Sequence, residues 1–356
     1  MLFSSGSDGV VRAISTSNGE RKWSAYTGGA IVFPPVAYQG RLYVGSGDGW
    51  IYCFDAESGR QCWRFRAAPV ERKIPFYGRL SSTWPVGSGV LVDHGVVYAA
   101  AGVASYDGTH VYALEAETGK IRWQNNTSGH LGGADSLAGV SVQGHLLLHS
   151  GKLYLAGGNA LSPAVYDARD GRCLNEIPRP EQDTPEEWKK TRSCPRGQDL
   201  FLIQDRVCCF DRRLYGPNRY WPCRGTTGPL VLAERGETMI RDLGGRVTRV
   251  AAQTAADNYR NAAQSEKHKI LWRSSHLQQT CALALGANAV IAAGQLAAAD
   301  GAVPEYAVAA LSADKGTVLW SRPLPAQPAW WGLAAEKAGR IFVSLVDGRL
   351  LCFATQ

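Results

Sequence analysis

No apolar run in this chain approaches the roughly 18 residues that a membrane-spanning helix needs, so no segment of it reads as such a span. The opening stretch, Met1 to Gly9, reads as a strand and a turn and lacks the charged-then-apolar layout of a secretion signal. The chain is therefore expected to carry no address of its own. Charge is sparse at 19%, and the net +7 comes from 38 basic and 31 acidic residues spread along the chain. With no basic stripe and no stacking motif, a nucleic-acid partner is set aside. Zinc-type spacing, a nucleophile elbow and a His-x-Glu pattern are all missing, and no Asp-x-Asp or EF-hand-like loop offers calcium ligands. Gly45-Ser-Gly47-Asp-Gly49 is glycine-rich, but it sits in a hairpin turn rather than between a strand and a helix, which argues against a phosphate cradle.

What the chain does have is a repeated sentence. From Leu42 to Trp63 apolar and polar residues alternate, break at Asp48-Gly49, alternate again, break at Ser58-Gly59 and end on a Trp. Two successive antiparallel hairpins are the expectation. The same punctuation recurs as Asp8-Gly9, Asn18-Gly19 and Trp23, then as Asp107-Gly108, Thr118-Gly119 and Trp123, and late in the chain as Asp300-Gly301, Lys315-Gly316 and Trp320. A fifth copy keeps Asp170-Gly171 but has Asn175 in the Trp place, and a sixth ends after Asp347-Gly348 and Phe353. One such meander cannot bury both faces, and a Trp at a fixed place on its last strand can cover the next unit. The step from Trp23 to Trp63, about 40 residues, is the period of a four-stranded propeller blade.

The expected fold is thus all-β, a β-propeller of four-stranded antiparallel blades forming a single domain over residues 1–356. Residues 2–26 supply the second to fourth strands of a blade, 28–67 and 84–126 one complete blade each, and 139–177 a degenerate one. Residues 199–274 read as one swollen blade, with two thin blades as the alternative. Its expected strands are 200–203, 207–210, 229–233, 246–251 and 269–272, and Trp272 recovers the closing Trp. Residues 281–324 give another complete blade and 330–353 three strands of a last one. The tally is seven units, five complete and two of three strands, whose ends do not complement each other. The expectation is the C-terminal part of a longer protein with an eight-bladed ring, its N-terminal part missing. Insertions interrupt the repeat at 68–83, 127–136, 178–197 and 254–269, the third with one helical turn at 186–190 and the last holding a short helix or loop over 255–267.

The nine cysteines are an odd number. Cys53, Cys209 and Cys352 share one register, where other copies place Ala13, Ala113 and Ala310, so a small buried side chain is expected at each. Cys194 and Cys223 lie in irregular segments and could pair in an oxidising compartment.

The segments Cys53 to Trp63, Ala113 to Trp123, Ala13 to Trp23 and Ala310 to Trp320 resemble the Trp-docking repeat of the pyrroloquinoline quinone (PQQ)-like propellers. The resemblance covers most of the chain outside 178–270. It implies a structural docking role for Trp23, Trp63, Trp123, Trp272 and Trp320, and an exported bacterial protein of the periplasm or cell envelope. Fold does not fix chemistry, because the family holds both quinoprotein alcohol dehydrogenases and non-catalytic BamB-like propellers. The dehydrogenases hold PQQ with calcium, a catalytic Asp and a vicinal Cys-Cys disulfide. Cys208-Cys209 is the one such pair here, and its context V-C-C-F-D matches the strand I-Y-C-F-D at 51–55.

Without a visible calcium constellation, the preferred expectation is a non-enzymatic binding or scaffold propeller. The alternative is a PQQ- and calcium-dependent dehydrogenase of alcohols or sugars, or a descendant without cofactor. In a propeller the fourth-to-first links and the second-to-third links open on one face. The insertions at 68–83, 127–136 and 178–197, with the longer turns 102–108 and 294–305, are expected on one rim that binds a protein, peptide or glycan. The candidate ligand contacts there are Arg66, Arg72, Tyr77, Trp84, Asn125, His130, Trp330 and Trp331, since aromatics and arginines carry binding energy.

Overall fold

The structure is a computed structural model. It describes residues 1–76, 78–103, 107–129, 140–142, 144–156, 163–175, 199–203, 206–210, 233–235, 238–243, 245–251, 270–297 and 303–354. Every named element among them is a β-strand. The chain divides into two compact units, 1–200 with 209–211, and 201–208 with 212–356.

In the first unit β1 (Leu2–Ser5), β2 (Val10–Ile14) and β3 (Arg21–Tyr26) form a three-stranded sheet. The next sheet has four strands in sequence order: β4 (Val36–Tyr38), β5 (Arg41–Gly45), β6 (Trp50–Asp55) and β7 (Gln61–Arg66). A separate hairpin of β8 (Lys73–Phe76) and β9 (Arg79–Ser82) precedes a second four-stranded sheet, β10 (Val90–Asp93), β11 (Val96–Ala101), β12 (His110–Glu115) and β13 (Ile121–Asn125). The strands β14 (Leu146–His149), β15 (Lys152–Leu155) and β16 (Ala164–Asp167) make a sheet of three, with Cys173 bridging to Tyr166.

The strands β17 (Asp199–Ile203) and β18 (Arg206–Phe210) form a hairpin whose residues are divided between the two units. The second unit has the four-stranded sheets β19 (Ala233–Arg235), β20 (Thr238–Leu243), β21 (Arg246–Ala251), β22 (Ile270–Arg273), and β23 (Leu277–Leu285), β24 (Ala289–Leu296), β25 (Tyr306–Ser312), β26 (Val318–Leu324). Its last sheet has three strands, β27 (Pro328–Ala335), β28 (Ile341–Leu345) and β29 (Leu350–Phe353). These are antiparallel up-and-down meanders, the blades of a β-propeller.

Two kinds of turn serve the first two hairpins of blades in the first unit, and the Asp-Gly pairs are not the two-residue hairpins. Both residues take positive φ at Gln39-Gly40 (46° and 72°), His94-Gly95 (43° and 76°) and Ser150-Gly151 (48° and 70°), the backbone of type I′ turns between first and second strands. At Asp8-Gly9 and Asp48-Gly49 only the glycine does so. There the aspartate acts through its side chain, which accepts the amide two residues on: Val10 at 3.1 Å and Trp50 at 3.0 Å.

Five third-to-fourth hairpins carry a β-bulge just before the Trp. The register shifts between Ala13 and Ile14, Cys53 and Phe54, Ala113 and Leu114, Arg249 and Val250, and Ala310 and Leu311. The extra residue rotates the strand, so the Trp is re-aimed toward the neighbouring blade.

The core is a series of layers between consecutive blades. Tyr43, Ile51 and Cys53 pack with Val97, Ala99, Tyr112 and Leu114, and Val111, Ala113 and Trp123 pack with Leu153, Leu155 and Tyr166. In the second unit Val247 packs with Leu283 and Leu311, and Val308 with Ile341 and Val343. Each fully buried aliphatic side chain contributes about 1.5–3 kcal/mol.

Three expectations change, and the insertion at 68–83 gains a described structure. Residues 199–273 are a hairpin plus a separate four-stranded sheet, with β20 as a strand the sequence reading passed over; 229–232 and 252–269 lie outside the described residues. Residues 68–83 contain a hairpin, whose Pro75 suits the edge position of β8. The blade over 139–177 has three strands and one bridge among the described residues. Cys352 is exposed, because β29 is the outermost described strand of its sheet, whereas Cys53 is buried. The Cys209 side chain, with Cys194, Cys223 and 178–197, lies outside the described residues.

Candidate functional site

Tryptophan and glycine join one blade to the next. The indole N–H of Trp23 donates to the Ala56 carbonyl (3.2 Å), Trp63 to Ala116 (3.0 Å), Trp123 to Ala168 (2.9 Å) and Trp272 to Ala313 (3.1 Å). Each ring lies against the glycine of the receiving turn: Gly59, Gly119, Gly171 and Gly316 respectively. These glycines have φ near 70°, and a Cβ at any of them would fall within 3 Å of the indole, so position and conformation both require glycine. Tyr43 adds its hydroxyl to the Ala116 carbonyl at 3.0 Å, and burial pushes its phenol up to about 12. Trp320 packs with Leu324, Ile341 and Val343.

At the other strand ends of the first unit, the links and second-to-third turns are bonded to one another. Thr27 N donates to Gly9 O (2.9 Å), Gly47 N to Ala30 O (2.8 Å), Ala67 N to Gly49 O (2.9 Å), Val86 N to Ser46 O (3.0 Å) and Val142 N to Gly102 O (2.8 Å). The β8–β9 hairpin lies on this rim and reaches three blades. Arg79 donates to the Ser7 carbonyl, Ser81 Oγ to Gly47 O at 3.1 Å, and Arg72 Nη2 to Asp107 Oδ1 at 2.6 Å.

Arg72 is the clamp of the hairpin. Its guanidinium lies 4.6 Å from the Trp84 ring centroid, its Nε donates to Thr83 Oγ1 (2.9 Å), and Trp84 Nε1 donates to the Asp107 carbonyl (2.6 Å). Arg72 and Asp107 remain partly exposed, so the pair orders the loop more than it stabilises the fold.

Of the sequence-predicted contacts, the structure brings Arg72 and Trp84 together. Arg66 is exposed at the end of β7, donating to Pro69 O at 3.5 Å. Asn125 is committed inside the blade junction: its Nδ2 donates to Gly171 O (2.8 Å) and its Oδ1 accepts from Ser128 Oγ (3.0 Å). Trp330 and Trp331 sit in β27 of the second unit, with Trp331 at φ 54°. Tyr77 and His130 lie outside the described residues. The sequence reading missed Asp107 and Arg79 as partners of the hairpin; Asp107 was visible only as turn punctuation.

The rim also exposes large apolar side chains. Val32 (65%), Val70, Ile74, Leu80 (66%) and Val103 all belong to its links, turns or hairpin. Its carboxylates, by contrast, are already engaged. Asp48 accepts from the Tyr52 hydroxyl (2.5 Å), Gly28 N (2.7 Å) and Trp50 N (3.0 Å), Asp107 from Arg72, and Asp8 from Arg12.

These features define a tryptophan-docked β-propeller with an apolar, loop-built rim. A family model described as "Outer membrane protein assembly factor BamB" (PQQ_2) matches residues 7–213, more than half of the chain. The chain belongs to that family. The outer membrane protein assembly factor BamB of Burkholderia pseudomallei is 28% identical over 200 residues, 49% of this chain and 44% of that protein. Quinohemoprotein alcohol dehydrogenase ADH-IIG of Pseudomonas putida is 30% identical over 93 residues, 22% of this chain and 13% of that enzyme. The crystal structure of BamB from Moraxella catarrhalis is 14% identical, with a TM-score of 0.44, over 99% of this chain and 81% of that one. The chain thus spans less than half the length of the first curated relative.

The family resemblance allows PQQ with calcium. Calcium takes about 6–8 oxygen ligands. The rim carboxylates described here are separately spent on protein donors and do not fit that need, and among the described residues no three His, Cys, Asp or Glu side chains group as metal ligands. Cys208 and Cys209 lie in strand β18, and their side chains are outside the described residues.

Proposed function

We propose that the chain is a non-enzymatic binding propeller of the bacterial cell envelope, and that the rim of its first unit engages a protein partner in outer-membrane protein assembly. The observation that carries this reading is the group of exposed apolar side chains on that rim, Val32, Val70, Ile74, Leu80 and Val103, held in place by the clamped hairpin. Apolar side chains exposed together on one loop-built rim are candidate contacts for a protein partner. The name of the relatives supplies the process, and the rim supplies the chemistry, an apolar surface edged by Arg72 and Arg66.

Photo-crosslinking tests it. A benzophenone amino acid at Leu80 should give adducts with a component of outer-membrane protein assembly in cells of the source bacterium, and the same probe at Glu57, in a third-to-fourth turn, should give none. Equal labelling from both positions, or none from Leu80, would overturn the assignment. A quinone titration separates the alternative: a saturable, calcium-dependent stabilisation of roughly 2.7 kcal/mol at a hundredfold excess over Kd would favour the dehydrogenase reading.

A further inference from the structure

The bulge before Trp63 differs chemically from the other four. The residue opposite the bulge is Ala13, Ala113, Arg249 or Ala310 elsewhere, and the inserted residue is Lys22, Arg122, Leu271 or Leu319. Only here are both positions cysteine. Cys53 pairs with Trp63 and Phe54 with Gln61, which leaves Cys62 as the extra residue facing Cys53.

From this register we propose that Cys53 and Cys62 form a disulfide across the bulge when the chain meets a disulfide donor. The geometry permits it. Two residues of a bulged strand oppose one residue of its partner, so Cys62 and Trp63 both lie opposite Cys53, and natural disulfides accept Cα separations of roughly 4.4–6.8 Å. Both cysteines are free thiols, Cys62 exposed and Cys53 buried, and Cys62 is near enough to perturb the Cys53 thiol. Burial first, and then the neighbouring Cys62, push the Cys53 thiol up to about 12, which makes Cys53 the second thiol to react.

The steps balance. Cys62 thiolate attacks one sulfur of the donor disulfide, forming a mixed disulfide and releasing one donor thiolate. Cys53 then loses its proton to solvent and attacks Cys62 Sγ, and the second donor thiolate leaves. Two cysteines are oxidised by two electrons, and one donor disulfide is reduced to two thiols. The product closes the hairpin at the bulge that aims Trp63 at Gly119.

Trypsin gives a direct readout, because cleavage after Arg41, Arg60 and Arg64 places Cys53 in peptide 42–60 and Cys62 in peptide 61–64. The native chain is held with oxidised glutathione, alkylated and digested. The expected product is these two peptides joined, about 2 Da lighter than their sum and separated by reduction. Recovery of Cys62 as an alkylated thiol, as a stable glutathione adduct or bonded to any other cysteine would overturn the proposal. In the variant Cys53→Ala, which installs the residue found at Ala13, Ala113 and Ala310, Cys62 should stop at the glutathione adduct. Cys62→Ser should leave Cys53 unmodified, and a disulfide from Cys53 in that variant counts against the assignment.

Discussion

The Trp63 indole lies flat on Gly119, so closely that a methyl group on that glycine would sit 2.8 Å from the ring. Gly119→Ala therefore meets two penalties, a positive φ of 72° and a collision with a side chain fixed by its bond to Ala116. The expected loss is about 2–4 kcal/mol. Gly19 has nearly the same φ, 75°, but a Cβ there meets no atom within 4 Å, so Gly19→Ala should lose only about 1–2 kcal/mol. Chemical denaturation of both variants checks the difference, and equal losses would show that the collision contributes nothing.

Trp63 itself divides into area and donor. Trp63→Phe keeps much of the ring contact but leaves Ala116 with only the Tyr43 hydroxyl, which should cost about 1–2 kcal/mol. Trp63→Ala removes both and should cost about 3–5 kcal/mol. Denaturant midpoints that failed to rank the native chain, Phe and Ala in that order would contradict this division.

Arg72→Ala unclamps the hairpin, losing Asp107, Thr83 and the Trp84 face together. Amide exchange over 73–82 should accelerate by at least about tenfold, while the global melting midpoint changes little, since partly exposed pairs contribute about 0–1 kcal/mol. A fall in the midpoint without faster local exchange would instead make Arg72 a core support.

Asp167 is held at about 2 by its hydrogen bonds from Arg169, below its usual carboxylate range. Its depressed folded value means that the contribution is fully present above the unfolded value near 4 and is lost as pH falls from about 4 toward 2. Arg169→Ala should return the carboxyl toward 4 and shift acid unfolding to higher pH. An NMR titration of Asp167 unchanged by that substitution would dismiss the link.

The blades were legible because their signals are local. Turn pairs, alternation and a Trp at constant offset lie within one meander, so one sequence suffices to find them. What escaped depends on partners distant in the chain. Pro75 and the apparent irregularity of 68–83 hid a hairpin whose anchors, Ser7, Gly47 and Asp107, belong to three different blades. Asn125 looked available for a ligand because nothing near it in sequence announces Gly171 as its acceptor. The Asp-Gly pairs were recognised as turns but given the wrong backbone, since a side chain bonding to an amide two residues on and a double positive φ leave similar marks in sequence. Bulges leave no compositional mark, although their position one residue before each Trp is regular.

Each of the four tryptophan junctions among the described residues is directed: one blade offers an indole from its fourth strand and the next receives it at its third-to-fourth turn. Such a join involves only two neighbours and uses one glycine, one alanine carbonyl and one bulge, so its specification is short and transferable. The blade over 139–177 has Asn175 in the Trp place, yet its Gly171 and Ala168 still receive Trp123. Giving and receiving can thus be lost independently. A unit can stop serving the blade after it while remaining a sound neighbour to the one before, and drift in one blade need not spread to the next.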